Sequence, residues 1–259
     1  MYWIYDLPNW LFGLLCIFVF VIFGVSGLMI LRKFIFKSLI PQAHNDIVSF
    51  FMAGLNAIYG ITLGLIAVGA WENFNDVNTK VSQEAAALSS LYQCIKSVPA
   101  PLNDTLKSKL KEYTKYTIED AWPQQQKGIL PKGGTERLTS FQNSLLQLDP
   151  KTKSEEVVFE TSFTILNHLF ELRRLRLQSV NQGLPSAIWY VIIFGALLNI
   201  VITWFFVTDK FRVHILMVVF FAALLGSLVF LIAAMDNPFR GEFSVSSDAF
   251  KIIYENMRR

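Results

Sequence analysis

The chain has few of the residues on which soluble enzymes and nucleic-acid-binding proteins depend. Charged residues make up 17% of its 259 residues, against about 25% in an ordinary soluble domain. The net charge of +3 is small, and basic residues are not interleaved with aromatic ones in a patch, which argues against a nucleic-acid partner. The two cysteines, Cys16 in an apolar run and Cys94 in a polar region, do not suggest a disulfide framework.

Signatures of catalysis and metal binding are also missing. The three histidines, His44, His168 and His214, fall in separate segments and lack the spacing of metal ligands. Glycine-rich phosphate loops and nucleophile motifs do not occur. Glu119 and Asp120 are adjacent, so on a helix they would point in different directions and make a poor acid/base pair. The sequence therefore predicts a protein that is not an enzyme and needs no metal or other cofactor.

Hydrophobic residues, by contrast, make up 53% of the chain and are concentrated in four runs without Asp, Glu, Lys or Arg. The runs cover residues 7–31, 47–71, 185–208 and 213–235. Each is long enough, as a helix, to cross a hydrocarbon core about 30 Å thick. The first run follows an N-terminus whose only charged side chain is Asp6, so we interpret it as a retained membrane helix and not a secretory signal.

The region between the second and third runs is polar and repeats apolar side chains at helical spacing. The pattern predicts helices over residues 77–95, 102–122 and 138–148, the second of them ended by Pro123. Thr152 and Glu155 form a capping box that opens a fourth helix through Gln178. Convincing strand alternation is absent. This region is predicted to be an all-α bundle.

The predicted fold is an all-α polytopic membrane protein with four transmembrane helices and a helical extramembrane domain inserted between the second and third. We expect a first helix pair in 1–71, the extramembrane domain in 72–184, a second pair in 185–235 and a C-terminal tail in 236–259. The short-loop charges favour a cytoplasmic side for the two helix connections, which would place the helical domain outside. These charges are Arg32, Lys33, Lys37, Lys210 and Arg212.

The second apolar run has two distinct faces. One face has small residues, which let helix backbones approach closely in a membrane: Ala53, Ala57, Gly60, Gly64 and Ala67. Nearly opposite is a mostly apolar stripe of Phe51, Leu55, Ile58, Thr62, Leu65 and Gly69. The stripe either meets lipid or, in an assembly, forms a hydrophobic constriction of Ile58, Thr62 and Leu65. Asn56 would then face the pore or a neighbouring helix.

Three arginines and a turn are the other candidate functional features. Arg173, Arg174 and Arg176 are either structural partners of carboxylates and lipid headgroups or the lining of a vestibule that concentrates anions. Glu84 is a candidate buried partner for one of them. The turn after the fourth run is either a helix stop with an aromatic anchor or a clasp between subunits. It consists of Asp236, Asn237, Pro238, Phe239, Arg240 and Gly241.

Several short motifs, in the same order along the chain, resemble those of a family of bacterial and plant membrane proteins called bestrophin-like (the DUF4239 family). The motifs are Glu84-Ala85-Ala86-Ala87-Leu88 with Leu91-Tyr92, Tyr113 with Ala121-Trp122-Pro123, Arg173-Arg174-Leu175-Arg176-Leu177, Gly183-Leu184-Pro185 with Trp189, and Asp236-Asn237-Pro238-Phe239-Arg240-Gly241. More distantly, the chain is similar to the bestrophins, which are pentameric ion channels.

The resemblance implies a narrow apolar neck on the second membrane helix. Leu63-Gly64-Leu65 resembles the end of the bestrophin neck helix, which makes Ile58, Ile61, Thr62 and Leu65 the neck positions here. The turn departs from the family because Arg240 is inserted before Gly241. The acidic calcium-binding cluster of animal bestrophins is also not matched, so calcium gating is not expected. The resemblance further implies a cytoplasmic helical domain, against the short-loop charges.

These observations together predict a homo-pentameric ion channel in the bacterial inner membrane, with surrounding lipids and inorganic ions, chiefly anions such as chloride, as its partners. The alternative is a non-conducting membrane scaffold or stress sensor that acts through its helical domain. A scaffold predicts monomers or dimers and a lipid-facing Ile58 stripe.

Overall fold

The computed structural model describes residues 3–34 and 44–258, and these ranges are helical without a β-strand. Lys37, one of the charges used to predict orientation, lies outside the described residues. A short 3-10 helix, Trp3–Asp6, precedes the α-helices. These are α1 Asn9–Phe34, α2 His44–Ile95, α3 Leu102–Tyr116, α4 Trp122–Gln126, α5 Gly134–Leu145, α6 Lys153–Ser179, α7 Ser186–Thr203, α8 Phe211–Asp236 and α9 Asp248–Arg258.

Four of these helices, α1, α2, α7 and α8, are long and apolar enough to cross a membrane. The predicted all-α fold with four membrane helices is therefore confirmed. The third apolar run is helical only as far as Thr203, five residues short of its predicted end. The second run does not end where the polar region begins, because α2 continues for 52 residues through Trp71 to Ile95.

The chain forms two compact units. The membrane unit contains Met1–Glu72, Gly183–Asp236 and Gly241–Phe243, and the helical unit contains Asn73–Gln182, Asn237–Arg240 and Ser244–Arg259. The boundary after Glu72 lies inside α2, so this helix contributes residues to both units.

In the membrane unit, α1 and α8 pack along much of their length. Gly226 makes this possible, because a Cβ atom there would lie 2.9 Å from the Cα atom of Ile17. Small residues at such crossings let two backbones meet without a side chain between them. The Trp204 ring similarly occupies the space beside Gly27, and its indole N–H donates a hydrogen bond to the Gly24 carbonyl at 2.9 Å.

The helical unit has a large apolar core contributed by α2, α3, α5, α6 and α9. On α2, buried side chains recur every three or four residues, at Val77, Val81, Ala85 and Leu88, which is the spacing of one helix face. The predicted capping box at the start of α6 is confirmed: the Glu155 backbone N–H donates to the Thr152 hydroxyl, and the Thr152 backbone N–H donates to the Glu155 carboxylate.

The prediction that Pro123 ends the second helix of this unit is wrong. A π-helical segment, Thr117–Ala121, follows α3 directly, and α4 begins immediately after it with Pro123 in its first turn. A proline at this position loses no hydrogen bond that the helix needs. The wider π turn, in which the Trp122 N–H donates to the Thr117 carbonyl, carries the chain from α3 into α4 without a break.

Candidate functional site

The membrane part of α2 presents three faces, of which the protomer covers one. The covered face contains Tyr59, Leu63 and Ala70. The Tyr59 hydroxyl donates to the Ile192 carbonyl at 2.8 Å. The Tyr59 ring packs directly on Gly195, because a Cβ atom at that position would lie only 2.3 Å from the ring. Tyr59 thus fastens α2 to α7.

The predicted neck residues lie on a second face that the protomer leaves open. Ile58 is 71% exposed, Ile61 67% and Leu65 70%. Thr62 lies at the edge of this face and is half-buried, and its hydroxyl donates to the Ile58 carbonyl at 2.9 Å, within the helix. The face is therefore apolar over its whole length, because its one hydroxyl is already hydrogen-bonded to the backbone.

The small-residue face is the third. A Cβ atom added to Gly60 or Gly64 would meet nothing within 4 Å, and Ala53 and Ala57 are exposed. The sequence predicted that this face packs. Within the described part of the protomer it does not, because α2 uses the Tyr59 face to contact its own chain. With 3.6 residues per turn, the three faces are roughly 120° apart around the helix.

Asn56 lies near the border between the covered face and the small-residue face, and it is half-buried. Its amide forms no side-chain hydrogen bond with residues 3–34 or 44–258. A polar amide at membrane depth requires a partner or water. The position therefore fits both alternatives considered from the sequence, a neighbouring helix or a water-filled space.

The protomer buries fewer residues of α2 than of its other membrane helices. In the most apolar stretch of α2, 11% of residues are buried, compared with 33% in α8. Apolar exposure is ordinary for a helix that meets lipid, but α2 combines it with an uncovered face of small residues. Small residues give close contact to a partner helix and little contact to lipid.

Among the three candidate arginines, Arg176 lies inside the helical unit. It is 1% exposed and binds Glu84 through two hydrogen bonds, Nε to Oε2 at 2.6 Å and Nη2 to Oε1 at 3.0 Å. Its Nη1 donates to Gln125 Oε1 at 2.7 Å, and the Tyr113 hydroxyl donates to Glu84 at 3.1 Å. The guanidinium also lies 5.5 Å from the centre of the Trp122 ring. Every charged group in this cluster is hydrogen-bonded.

The cluster shifts the pKa values of two of its members. Burial on its own lowers the pKa of Arg176, but the Glu84 carboxylate more than offsets this, so the pKa is raised and the guanidinium stays charged. Burial raises the pKa of the Tyr113 phenol well above its usual value, and the Glu84 carboxylate raises it further. The two shifts keep the Arg176 guanidinium charged and the Tyr113 phenol neutral.

The other two arginines have different surroundings. Arg173 is buried, packs against Gly134 and donates to the Thr135 hydroxyl at 3.0 Å. Arg174 is exposed. The sequence analysis considered the three as one group. Arg173 and Arg176, three residues apart, share the buried side of α6, and only Arg174 has its charge on the surface of the protomer.

The turn after α8 begins with a carboxylate that serves the start of α7. Asp236 accepts hydrogen bonds from the Leu184 backbone N–H and from the Trp189 indole N–H at 3.2 Å. Sequence reasoning missed this role. A signal was available in the chain, because an unpaired backbone N–H at the start of a membrane helix needs an acceptor.

The remaining turn residues belong mainly to the helical unit. Phe239 is fully buried against the Trp122 ring, and the Pro238 carbonyl accepts from the Val245 N–H at 2.7 Å. The Arg240 N–H donates to the Asn237 carbonyl at 2.9 Å, and Gly241 has the positive φ of +78° that lets the chain reverse. Phe239 is thus a core residue of the helical unit, not an exposed anchor.

Gly128 makes room for the inserted Arg240. A Cβ atom on Gly128 would overlap the Arg240 guanidinium, and its φ of +72° also favours glycine. In the two described ranges, no group of three or more His, Cys, Asp or Glu side chains is placed to hold a metal ion.

A model of the bestrophin-like domain matches residues 18–250 of the chain. The fold is similar to that of a point variant of a bacterial bestrophin homologue from Klebsiella pneumoniae, with a TM-score of 0.72 and 14% identity over 95% of this chain and 99% of that one. A zinc-phased structure of a bestrophin homologue from Klebsiella pneumoniae gives a TM-score of 0.70 and 13% identity over 94% and 96%. No curated protein matches the chain.

Proposed function

The chain belongs to the bestrophin-like family, and on this premise we propose that it assembles into a ring and acts as a passive ion channel. Ile58, Ile61, Thr62 and Leu65 of each α2 form the neck in this proposal. The observation that carries it is the pair of uncovered faces on α2, an apolar one and a small-residue one.

A ring explains why α2 needs three faces. A helix that lines a central pore must contact its own chain, a neighbouring subunit and the pore. Tyr59 and Leu63 occupy the first role. The small-residue face fits the contact with a neighbouring subunit because it allows close approach to a neighbouring backbone. The Ile58 face fits the lining of the pore. Five subunits is the number that the resemblance to the bestrophins implies.

The proposed neck acts as a barrier without any charge. Rings of isoleucine and leucine side chains exclude water from a narrow pore, so ions pass only when the neck widens or wets. Such a neck does not choose between anions and cations by attraction. We propose anions as the conducted ions, supported by the net charge of +3 and the exposed Arg174.

The four apolar helices make this an integral membrane protein. We propose the bacterial inner membrane as its location, supported by the bacterial source of the similar solved structures.

The test is the current across a planar bilayer that contains purified protein under an asymmetric chloride gradient, with the mass of the detergent-solubilised complex measured in parallel. A reversal potential near the chloride equilibrium value supports an anion channel. A value near the cation equilibrium retains the channel and contradicts anion selectivity. A dimer or monomer without current favours the non-conducting scaffold.

The neck assignment is tested by Leu65→Ala, with Leu14→Ala as the matched control on α1. Both leucines are exposed in the protomer and lie in membrane helices. We expect Leu65→Ala to widen the neck and raise single-channel conductance severalfold, because pore diameter and wetting control permeation through an apolar constriction. Leu14→Ala should leave it unchanged. Equal conductance of both variants and the original protein contradicts the neck assignment.

A further inference from the structure

A cavity of about 600 Å³ opens in the membrane unit beside the first half of α8. Its walls come from the start of α2, the segment that follows α7 and one side of α8. The volume falls within the range of about 300–1,000 Å³ that is usual for pockets that bind small molecules. The lining is predominantly apolar, with a few polar side chains at one end.

One wall of the cavity is an apolar strip on α8. Met217, Phe220 and Leu224 line the cavity, and all three are exposed. Their spacing of three and four residues places them on one side of the helix, along roughly 10 Å of its length. A strip of this shape inside a concave wall fits an extended hydrocarbon chain.

The polar end of the cavity is held in place by hydrogen bonds. The Asn45 side chain accepts from the Val207 N–H at 2.8 Å and donates to the Val207 carbonyl at 2.7 Å, which ties the start of α2 to the segment after α7. The buried His214 ring nitrogen Nε2 lies 2.9 Å from the Thr203 carbonyl. The two hydrogen bonds of Asn45 therefore fix the start of α2 to the segment after α7.

Basic side chains outnumber acidic ones at this end of the membrane unit. Lys210 and Arg212 are exposed at the start of α8, and the Arg32 guanidinium lies 4.2 Å from the centre of the Phe211 ring. Lys33 follows Arg32. The acidic side chains of the same segments, within the described ranges, are those of Asp46 and Asp209. Basic pockets at the ends of membrane helices attract anionic lipid headgroups.

We infer that this cavity binds a phospholipid with an anionic headgroup. One acyl chain lies along Met217, Phe220 and Leu224, and the headgroup phosphate faces Lys210, two residues after the lining residue Thr208. The inference does not rest on ion conduction, because a non-conducting scaffold with the same membrane unit would bind the lipid equally well.

The test uses two photoreactive lipids, phosphatidylglycerol and phosphatidylcholine, each with a diazirine on one acyl chain. Each is incorporated into separate vesicles with the full-length protein, and adducts are mapped by mass spectrometry after illumination. We expect phosphatidylglycerol adducts to concentrate in residues 206–224 relative to the exposed Phe18 surface of α1. Phosphatidylcholine should label the two regions alike. Equal labelling of both regions by both lipids overturns the inference.

Two kinds of variant separate the chain from the headgroup. Met217→Trp fills the cavity and should abolish the enrichment, whereas Leu231→Trp, at an exposed position on the same helix outside the cavity, should not change it. Lys210→Gln should reduce the preference for phosphatidylglycerol by roughly fivefold. Arg212→Gln, at an exposed position on a different side of α8 from Met217 and Leu224, should change it little. Retained preference in Lys210→Gln contradicts the anionic headgroup.

A second copy of the chain is the competing occupant. If Met217→Trp changes the mass of the complex and leaves lipid labelling as it was, the cavity is a subunit contact and the lipid inference is wrong. Leu224→Trp, at the other end of the apolar strip, provides the same test should Met217→Trp fail to fold.

Discussion

The two parts of α2 differ in how completely their own chain buries them. In the helical unit, one face of α2 is buried turn after turn, and it includes Glu84, whose carboxylate is fully hydrogen-bonded. In the membrane unit, the Tyr59 face is covered and the Ile58 and small-residue faces are open. The helical part is therefore satisfied within a single protomer. The membrane part has surfaces whose partners must be lipid, water or other copies of the chain.

The difference follows from the solvent of each part. In water, an uncovered apolar face costs about 25 cal/mol per Å² of exposed area, so the helical unit must bury its apolar side chains within itself. In a bilayer, lipid tails are as apolar as leucine, and no such penalty applies. An apolar face in a membrane can thus be kept free for a pore or a neighbour without unfolding the protomer.

The largest expected effect is in the helical unit. Glu84→Gln removes the charge that pairs with Arg176 and leaves a buried guanidinium without a counter-charge. Breaking a buried ion pair in this way costs about 3–5 kcal/mol. We expect the free energy of unfolding in detergent, measured by chemical denaturation, to fall by that amount. Glu72→Gln, at an exposed position on the same helix, should change it little. If the two variants lower the free energy of unfolding equally, the buried Glu84–Arg176 pair does not stabilise the helical unit as assigned.

A pair of glycine variants tests the membrane unit. Gly195→Ala places a Cβ atom 2.3 Å from the Tyr59 ring and should destabilise the protomer by about 1–3 kcal/mol. Gly64→Ala meets nothing within 4 Å, and alanine favours a helix over glycine by up to about 1 kcal/mol, so the protomer should not lose stability. Thermal unfolding of the two variants measures the difference.

The larger substitution Gly64→Leu extends the same test from the protomer to the assembly. If the small-residue face packs on a neighbour, the bulk of the added isobutyl group separates the subunits, and the mass of the complex in detergent should fall. The variant also provides a control for Gly64→Ala, since a Cβ atom at this position meets nothing in the protomer. A complex of unchanged mass would assign the small-residue face to lipid.

The smallest expected effect depends on alkaline pH. The pKa of Tyr113 is raised in the folded protein, so the unfolded chain loses this proton first as pH rises above the ordinary phenol value of 10.0. The stability contribution is therefore complete below pH 10 and declines above it, by up to about 1.4 kcal/mol per pH unit. Tyr113→Phe should remove this part of the pH dependence. Identical stability profiles of the two proteins above about pH 10 contradict the assigned role.

The sequence predicted most of the fold because the signals were local and strong. Uncharged runs identified the four membrane helices, and Thr152 with Glu155 identified the start of α6. Pro123 misled because the effect of a proline depends on its place in a helix, and a π segment before it is not visible in sequence. The continuation of α2 past Trp71 was hidden by the change in composition.

The candidate site was less predictable than the fold. The sequence distinguished a small face from an apolar face on α2, but the Tyr59 face, which contacts α7, was not recognised because apolar residues lie on every side of a membrane helix. The arginines on α6 showed the converse difficulty. The sequence named Glu84 as a candidate partner for one of them, but only the structure identifies that arginine as Arg176, 92 positions away, and shows that Arg174 is exposed.

The hydrogen bonds of Asp236 also set an order of events during synthesis. The Leu184 N–H, at the entrance to α7, is satisfied by a carboxylate that is added 52 residues later. Until the ribosome has passed that point, α7 lacks this acceptor, and the indole of Trp189 lacks its partner as well. The hydrogen bonds that join the start of α7 to the end of α8 can therefore form only when α8 is complete. A nascent chain that stops before Asp236 lacks both of these bonds to its third membrane helix.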